Sequence, residues 1–220
     1  YLKWDEKVIT DFSDKNISEM YECGYLFTRI GKGVMQQTRS VRIDLGKFEP
    51  TSENKRILRR VGGVDFHVDF LPMRNYDWKI GKMAKDFYET RFGPDIVSAN
   101  KIKDLLSDNT KSGFNTLLKY SVDSRTVGYA ICYENKEILH YSYPFYDLQS
   151  APKNMGLWMM NMAIQYSHGL QKKFVYLGSL QRPTDIYKLQ FKGLEWFDGK
   201  EWSGDLEKVK KILASDSINE

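Results

Sequence analysis

Residues 114 to 146 constrain the fold most. "FNTLLKYSV", "TVGYAICYE" and "EILHYSYPFY" follow one another, each rich in β-branched and aromatic residues, with only "DSR" and "NK" between them. Spacers this short join antiparallel neighbours, so the stretch predicts a three-stranded meander. A long helix is expected next, from about Lys153 to Leu170. Its apolar face carries Met155, Trp158, Met159, Met162 and Tyr166, a methionine and aromatic stripe that suits a core. "FVYLGS" then reads as a short buried strand. "DIYKLQF" reads as a short helix with Tyr187 and Phe191 one turn apart, and "LEWFDGKEW" as a strand or hairpin around Asp198-Gly199. The tail from Glu207 reads as helical and then frayed. A strand that follows a long helix out of a meander is expected to lie parallel to the last meander strand.

The first third is organised differently. "SVRIDLGKF" places Val41, Ile43 and Leu45 on one side of a strand. "EPTSENKRILRR" is a strand exit and a helix start, with Thr51 or Ser52 as the cap and Glu53 in the first turn. "VGG" at 61–63 breaks the pattern. On this helix Arg56, Arg59 and Arg60 lie within one turn of each other and share a face. A helix from about Tyr76 to Phe92 follows, with Ile80, Met83, Ala84, Phe87 and Phe92 at helical spacing and Gly93-Pro94 as its stop. A shorter one, "ANKIKDLLSD", buries Ile102, Leu105 and Leu106. The expected organisation is a smaller, basic N-terminal α/β part over residues 1–70 and a main domain over residues 71–220.

At 220 residues, 41% hydrophobic and 14% aromatic, the chain suits one large domain or two small ones sharing a core. No apolar run approaches the roughly 18 residues that span a bilayer, and the opening "YLKWDEKVIT" has no apolar signal core. Cys23 and Cys132 are the only cysteines, too few for a disulfide framework or a metal knuckle. A reduced cytoplasmic protein is expected. The net charge of +4 is unevenly spread: residues 21–62 hold nine Lys or Arg against four Asp or Glu, a local balance of +5. That asymmetry points either to an anionic partner or to a charged, solvated face.

The order meander, helix, parallel strand resembles the core of acyltransferases of the GNAT type, an α+β fold. The resemblance implies two central strands that splay apart beyond the meander and an acyl donor held in the opening and at the following helix N-terminus, where free N–H groups face phosphate. Two blocks narrow the likeness. "YECGYLFTRIGKGVMQQTRSVRIDLGKFEPTSENKRILRR", residues 21–60, resembles the N-terminal block of aminoacyl-tRNA–protein transferases of the arginyl and bacterial leucyl types, through Arg39, Arg42, Phe48, Pro50, Ser52, Lys55, Arg56, Leu58 and Arg59. Residues 141–202 look like the C-terminal half of that family, through Tyr146, Asp147, Gly156, Tyr176, Leu177, Gly178, Tyr187, Lys188, Phe191, Glu195 and Trp202. Together the blocks cover nearly half the chain, in family order. Relatives carry a cysteine cluster where this chain reads "GVMQQTRS", so no metal or iron–sulfur site is expected. Ser179 stands where a bulky residue is usual, and Gly193 where proline is common.

The implied reaction is attack of a protein N-terminal α-amine on the ester carbonyl of an aminoacyl-tRNA, most simply an arginyl-tRNA. The partners are then a charged tRNA and acceptor proteins or peptides with a specific N-terminal residue, with no DNA and no membrane. Aminoacyl-tRNA is a co-substrate, and no cofactor is implied. The enzyme must hold the 3′ end, position the amine, help remove its proton and stabilise an oxyanion. Asp147 is the candidate for orienting or deprotonating the amine, or else a turn aspartate closing "YPFYD". Tyr146 and Tyr187 can donate to a carbonyl oxygen or stack on the terminal adenine, or serve as core aromatics. Arg39, Arg42, Lys55, Arg56, Arg59 and Arg60 are candidates for holding the tRNA. Lys188 can reach phosphate or sit solvated, while Asn154 and Gly156 can contact the donor or cap the long helix. His140 reads as a packed or sheet-face histidine, and His67 and His168 have no partner at metal-ligand spacing. A CoA-dependent N-acetyltransferase on the same core is the alternative, although "SAPKNMGLW" offers one glycine where a CoA loop has several. A non-catalytic RNA-binding module would explain the basic block alone.

Overall fold

The computed structural model describes residues 2–61 and 63–216. The meander forms as expected: β6 (Thr116–Val122), β7 (Arg125–Glu134) and β8 (Ile138–Tyr146) pair antiparallel in sequence. Asp123 and Ser124 both have positive φ, at 48° and 64°, so β6 and β7 are joined by a two-residue turn whose twist matches the strands. The long helix is α5 (Met155–Gly169), and β9 (Phe174–Ser179) returns parallel to β8. This is the α+β order of the GNAT acyltransferase core. The strands β10 (Leu194–Phe197) and β11 (Trp202–Ser203) form the expected hairpin, and α6 (Leu206–Asp216) follows. The predicted fraying beyond it lies outside the described residues.

The N-terminal third is woven into the same sheet. β4 (Ser40–Asp44) lies between β9 and β10, and β5 (Val64–Phe70) forms the edge beside β6. The order is β11-β10-β4-β9-β8-β7-β6-β5, with β8 and β9 the one parallel pair among the described strands. Residues 1–70 and 71–220 therefore share one sheet. A smaller antiparallel sheet of β1 (Asp5–Val8), β2 (Tyr25–Phe27) and β3 (Val34–Gln37) sits with α1 (Asp14–Glu22). The sequence reading assigned neither these elements nor β5.

Each face of the large sheet buries its own core. On one side α2 (Ser52–Arg60), α5 and α6 cover Val41, Ile43, Leu118, Leu139 and Val175. Thr51 caps α2 through a reciprocal pair of hydrogen bonds with Asn54, and Ile57 is the helix's buried anchor. On the other side α1, the small sheet, α3 (Trp78–Phe92) and α4 (Ala99–Ser107) cover Leu117, Ile131, Phe145 and Tyr176. Asp77 and Ser98 cap α3 and α4, and Gly93, at φ +98°, ends α3. On α3 Tyr88 is buried and Phe92 is exposed, where the expected apolar face had Phe92 buried. Among the described residues no helix is long and apolar enough to cross a membrane.

Candidate active site

The site begins with a failure of pairing. β8 and β9 pair at Ile138/Phe174, Leu139/Val175 and His140/Tyr176, and then part. Both strands change register at this point. On β8, Tyr141 and Tyr143 face the adjacent residues Cys132 and Ile131 of β7, so Ser142 is surplus. On β9, Tyr176 and Ser179 face Arg42 and Ser40 of β4, which leaves one surplus residue around Leu177-Gly178. Gly178 has φ +80°, a conformation that costs glycine little. A surplus residue bends its strand, and two bends at one place open a gap between Tyr141–Tyr146 and Leu177–Ser179.

Side chains from both faces of the sheet converge on the gap. Tyr141, one residue past the last pair, is 2% exposed and its hydroxyl has no hydrogen-bond partner. The other buried, unpartnered side-chain atoms among the described residues are on Asn54, Asn161 and Tyr176, the last of these in the final β8–β9 pair. Burial first, then the neighbouring groups of Tyr120, Cys132, Tyr187 and Tyr88, hold the Tyr141 phenol well above its usual pKa. The segment predicted as a short helix is a 3-10 helix, Pro183–Gln190, that leans on the gap; Phe191 is buried just beyond it. From this helix Lys188 donates from Nζ to the carbonyl of Ser179, 2.7 Å away, with Asp185 at 3.5 Å. Burial lowers the Lys188 pKa against the opposing pull of Asp185. Tyr187 is about half exposed as a residue (47%), yet partial burial of its phenol, with Asp185 and Tyr146 nearby, raises its pKa to about 12. Tyr88 of α3 donates to the carbonyl of Pro144 at 3.1 Å. At the last pair His140 is buried and within 2.9 Å of the Tyr21 hydroxyl, and burial, helped by the charge of Lys188, pushes its pKa down to about 3. It is a neutral, packed histidine, as its strand position suggested.

Other candidates fall elsewhere or act differently. Asp147 closes a turn: its carboxylate accepts from the Gln149 N–H at 3.0 Å and from the Ser150 hydroxyl, and pairs with Arg125 at 3.1 Å. The Ser150 bond leads in holding its pKa below the usual value, which suits a turn aspartate and weakens it as a base. Asn154 has φ +68° and no side-chain cap bond, so it bends the chain into α5 without capping it. A Cβ on Gly156 would lie 3.3 Å from the ring of Tyr146. That glycine makes room for Tyr146, which covers the first turn of α5 where donor phosphate was expected.

Arg42 is a correction. It is buried, bonded to Glu22 at 2.8 Å and Glu195 at 2.9 Å, and held between the rings of Phe174 and Trp202. Two carboxylates and two rings already occupy this guanidinium, so it is not open to a phosphate. Arg39 is also buried. Lys55, Arg56, Arg59 and Arg60 are exposed on α2, with Arg56 paired to Glu53. Sequence reasoning missed Arg29, Tyr88, Arg91, Tyr141 and Arg182, which surround the gap; each looks ordinary in its own segment, and only the fold unites them. A cleft of about 600 Å³ opens on the α6 side of the 3-10 helix, lined mainly by the apolar Pro183, Ile186, Leu189 and Leu213, with Gln190 and Lys210 its polar side chains.

No family model matches the chain, and no curated protein matches it in sequence. Solved structures resemble it at low identity. L-PGS from Bacillus licheniformis is 13% identical over 94% of this chain and 71% of that one, with a TM-score of 0.46. The C-terminal domain of a putative lysylphosphatidylglycerol synthetase from Agrobacterium fabrum is 13% identical over 80% of this chain, which spans about half (55%) of that one, at 0.43. A ribosomal-protein-alanine N-acetyltransferase from Brucella melitensis is 14% identical over 64% of this chain and 93% of that one, at 0.39. The fold assignment stands on the chain's own topology: a meander, a crossover helix, and a parallel strand that splays from its neighbour.

Proposed function

We propose that the chain is an acyltransferase that moves an aminoacyl group from a charged tRNA to an amine, and that the group is arginyl and the amine the N-terminus of an acceptor protein. The observation that carries acyl transfer is the gap between β8 and β9 with the unpartnered Tyr141 hydroxyl beside it. A slot between two strands suits an extended donor, and an unbonded buried donor group suits a carbonyl oxygen that gains charge. The arginyl and N-terminal parts rest on the resemblance of residues 21–60 and 141–202.

The step needs no covalent enzyme intermediate. The acceptor amine attacks the ester carbonyl and forms the C–N bond, and the C–O bond to the ribose breaks. The amine loses a proton and the ribose hydroxyl gains one. Tyr141 and Tyr187 remain protonated at neutral pH and can donate to the oxyanion. Lys188, whose ammonium is held by the Ser179 carbonyl and Asp185, adds positive charge near the oxyanion, and the amine's proton leaves to water. Asp147 stays at the rim as a positioning group. The exposed α2 cations Lys55, Arg59 and Arg60, which have no carboxylate partner among the described residues, support contact with the body of the tRNA. The test is incubation with Arg-tRNA or Leu-tRNA and peptides beginning with Asp, Glu, Arg or Lys, beside parallel reactions with acetyl-CoA. Modification that depends on charged tRNA is expected; modification supported only by acetyl-CoA would overturn the reading.

A further inference from the structure

The last turn of α3 gathers positive charge from three separate places. Arg91 donates to the Tyr146 hydroxyl at 3.2 Å. Arg182, between β9 and the 3-10 helix, lies over the Phe92 ring at 5.2 Å. Arg29, from the β2–β3 loop, lies over Tyr143 at 5.9 Å, and its charge acts on Tyr88 of the same turn. Among the described residues none of the three has a side-chain ion pair with a carboxylate, whereas Arg42, Arg56 and Arg125 are paired. Aromatic partners orient these guanidinium groups and leave their charge uncompensated. Tyr143 and Tyr146 belong to the β8 segment that borders the gap, and the Tyr141 hydroxyl is buried and unpartnered in that same segment.

We propose that Arg29, Arg91 and Arg182, with Phe92, Tyr143 and Tyr146, form a binding site for the 3′-terminal single-stranded nucleotides of an RNA, guanidinium groups on successive phosphates and rings on bases. Arg suits phosphate through its planar fork, and every base has a face that stacks on an aromatic ring. The strand's 3′ hydroxyl end is directed into the gap toward Tyr141. This rests on the acyl-transfer reading and names the part of the donor that the gap's rim holds. It moves the recognition of that end away from α2 and away from the α5 N-terminus, which Tyr146 covers.

The probe is the RNA tetranucleotide ACCA, 5′-labelled, titrated with the full chain at 50 and 200 mM salt. Arg91→Ala with Arg182→Ala is expected to weaken binding at least about tenfold and to reduce the slope of log affinity against log salt by about 1.4, two contacts at about 0.7 each. Phe92→Ala is expected to weaken it about fivefold or more. A 3′-phosphate on the probe is expected to weaken it further, because the blocked end cannot enter the gap. All altered side chains are exposed, and an unchanged melting temperature confirms folding; Lys136→Ala, at the opposite end of the sheet, is the charge control. Unchanged affinity and slope in the double arginine variant, or equal binding of the 3′-blocked probe, would overturn the site. The two readings separate cleanly. ACCA binding that depends on the arginines, without transfer from charged tRNA, supports the site and removes the function. Transfer from charged tRNA that is indifferent to the arginines keeps the function and overturns the site.

Discussion

Arginines in this molecule meet aromatic side chains in two settings, and the settings differ in one respect. Arg42 is held at 3.9 and 4.1 Å from the rings of Phe174 and Trp202 and also meets two carboxylates. Arg29, Arg91 and Arg182 have rings or a phenol, and among the described residues their guanidinium groups have no side-chain ion pair with an acid. A ring fixes where a guanidinium sits without cancelling its charge; a carboxylate cancels it. The first group is a closed internal brace that ties β4 to β10 and α1. The second is an oriented charge left for something that arrives from solution.

The sharpest way to break this contrast is Arg42→Met. Removing one partner of a largely buried ion pair strands the other, and Glu195 retains only Lys47. A loss of about 3 kcal/mol is expected, seen as a fall in melting temperature of about 6–12 °C for a chain this size, with RNA affinity of the folded fraction unaltered. A melt within about 1 °C of the native chain would make Arg42 as dispensable as a rim arginine.

The next test probes the closed side through pH. His140 has a pKa of about 3 in the folded chain against an ordinary 6.5. Between those values the unfolded chain binds a proton that the folded chain refuses, so this contribution is complete above about pH 6.5 and is lost as pH falls toward 3. Stability should decline by up to about 1.4 kcal/mol per pH unit in that window. Denaturant melts of His140→Gln at pH 6 and pH 4 should show a shallower decline than the native chain, and parallel declines would remove the histidine from the account.

On the open side, Tyr141→Phe should separate stability from chemistry. The hydroxyl has no partner to lose, so the melting temperature should hold or rise, while transfer should slow by about tenfold or more, the scale of one oxyanion donor. A slower enzyme that is also destabilised by several degrees would return Tyr141 to the core. The smallest effect is expected at Gly156→Ala. The helical gain of up to about 1 kcal/mol is offset by a contact at 3.3 Å that displaces Tyr146. The melt should barely move, while ACCA affinity falls about two- to threefold through Arg91.

Local patterns carried much of the fold. The meander, its tight turn at Asp123-Ser124, α5 and β9 follow from alternation and helical spacing within short windows. β5 alternates as cleanly as any strand, yet its partner β6 lies some fifty residues on, and the preceding Val-Gly-Gly read as a break. The insertion of β4 between β9 and β10 has no local signature. Of the site residues expected from sequence, Tyr146, Tyr187 and Lys188 lie near the gap, and their roles belong to the proposal. Arg42 misled because the rings and acids that enclose it come from Glu22, Phe174, Glu195 and Trp202, mostly more than 130 residues away. Arg29, Arg91 and Arg182 sit at least sixty residues apart, and no window of sequence holds two of them.

The gap between β8 and β9 is made by counting, one surplus residue in each strand, and that has a consequence for how such a protein can change. Exchanging side chains around the opening alters what enters it but leaves the doorway standing, because its width is written in backbone length. Shortening β8 by Ser142 would restore the register and shut it. What the opening admits can thus change by ordinary substitution, whereas losing the aperture takes a deletion.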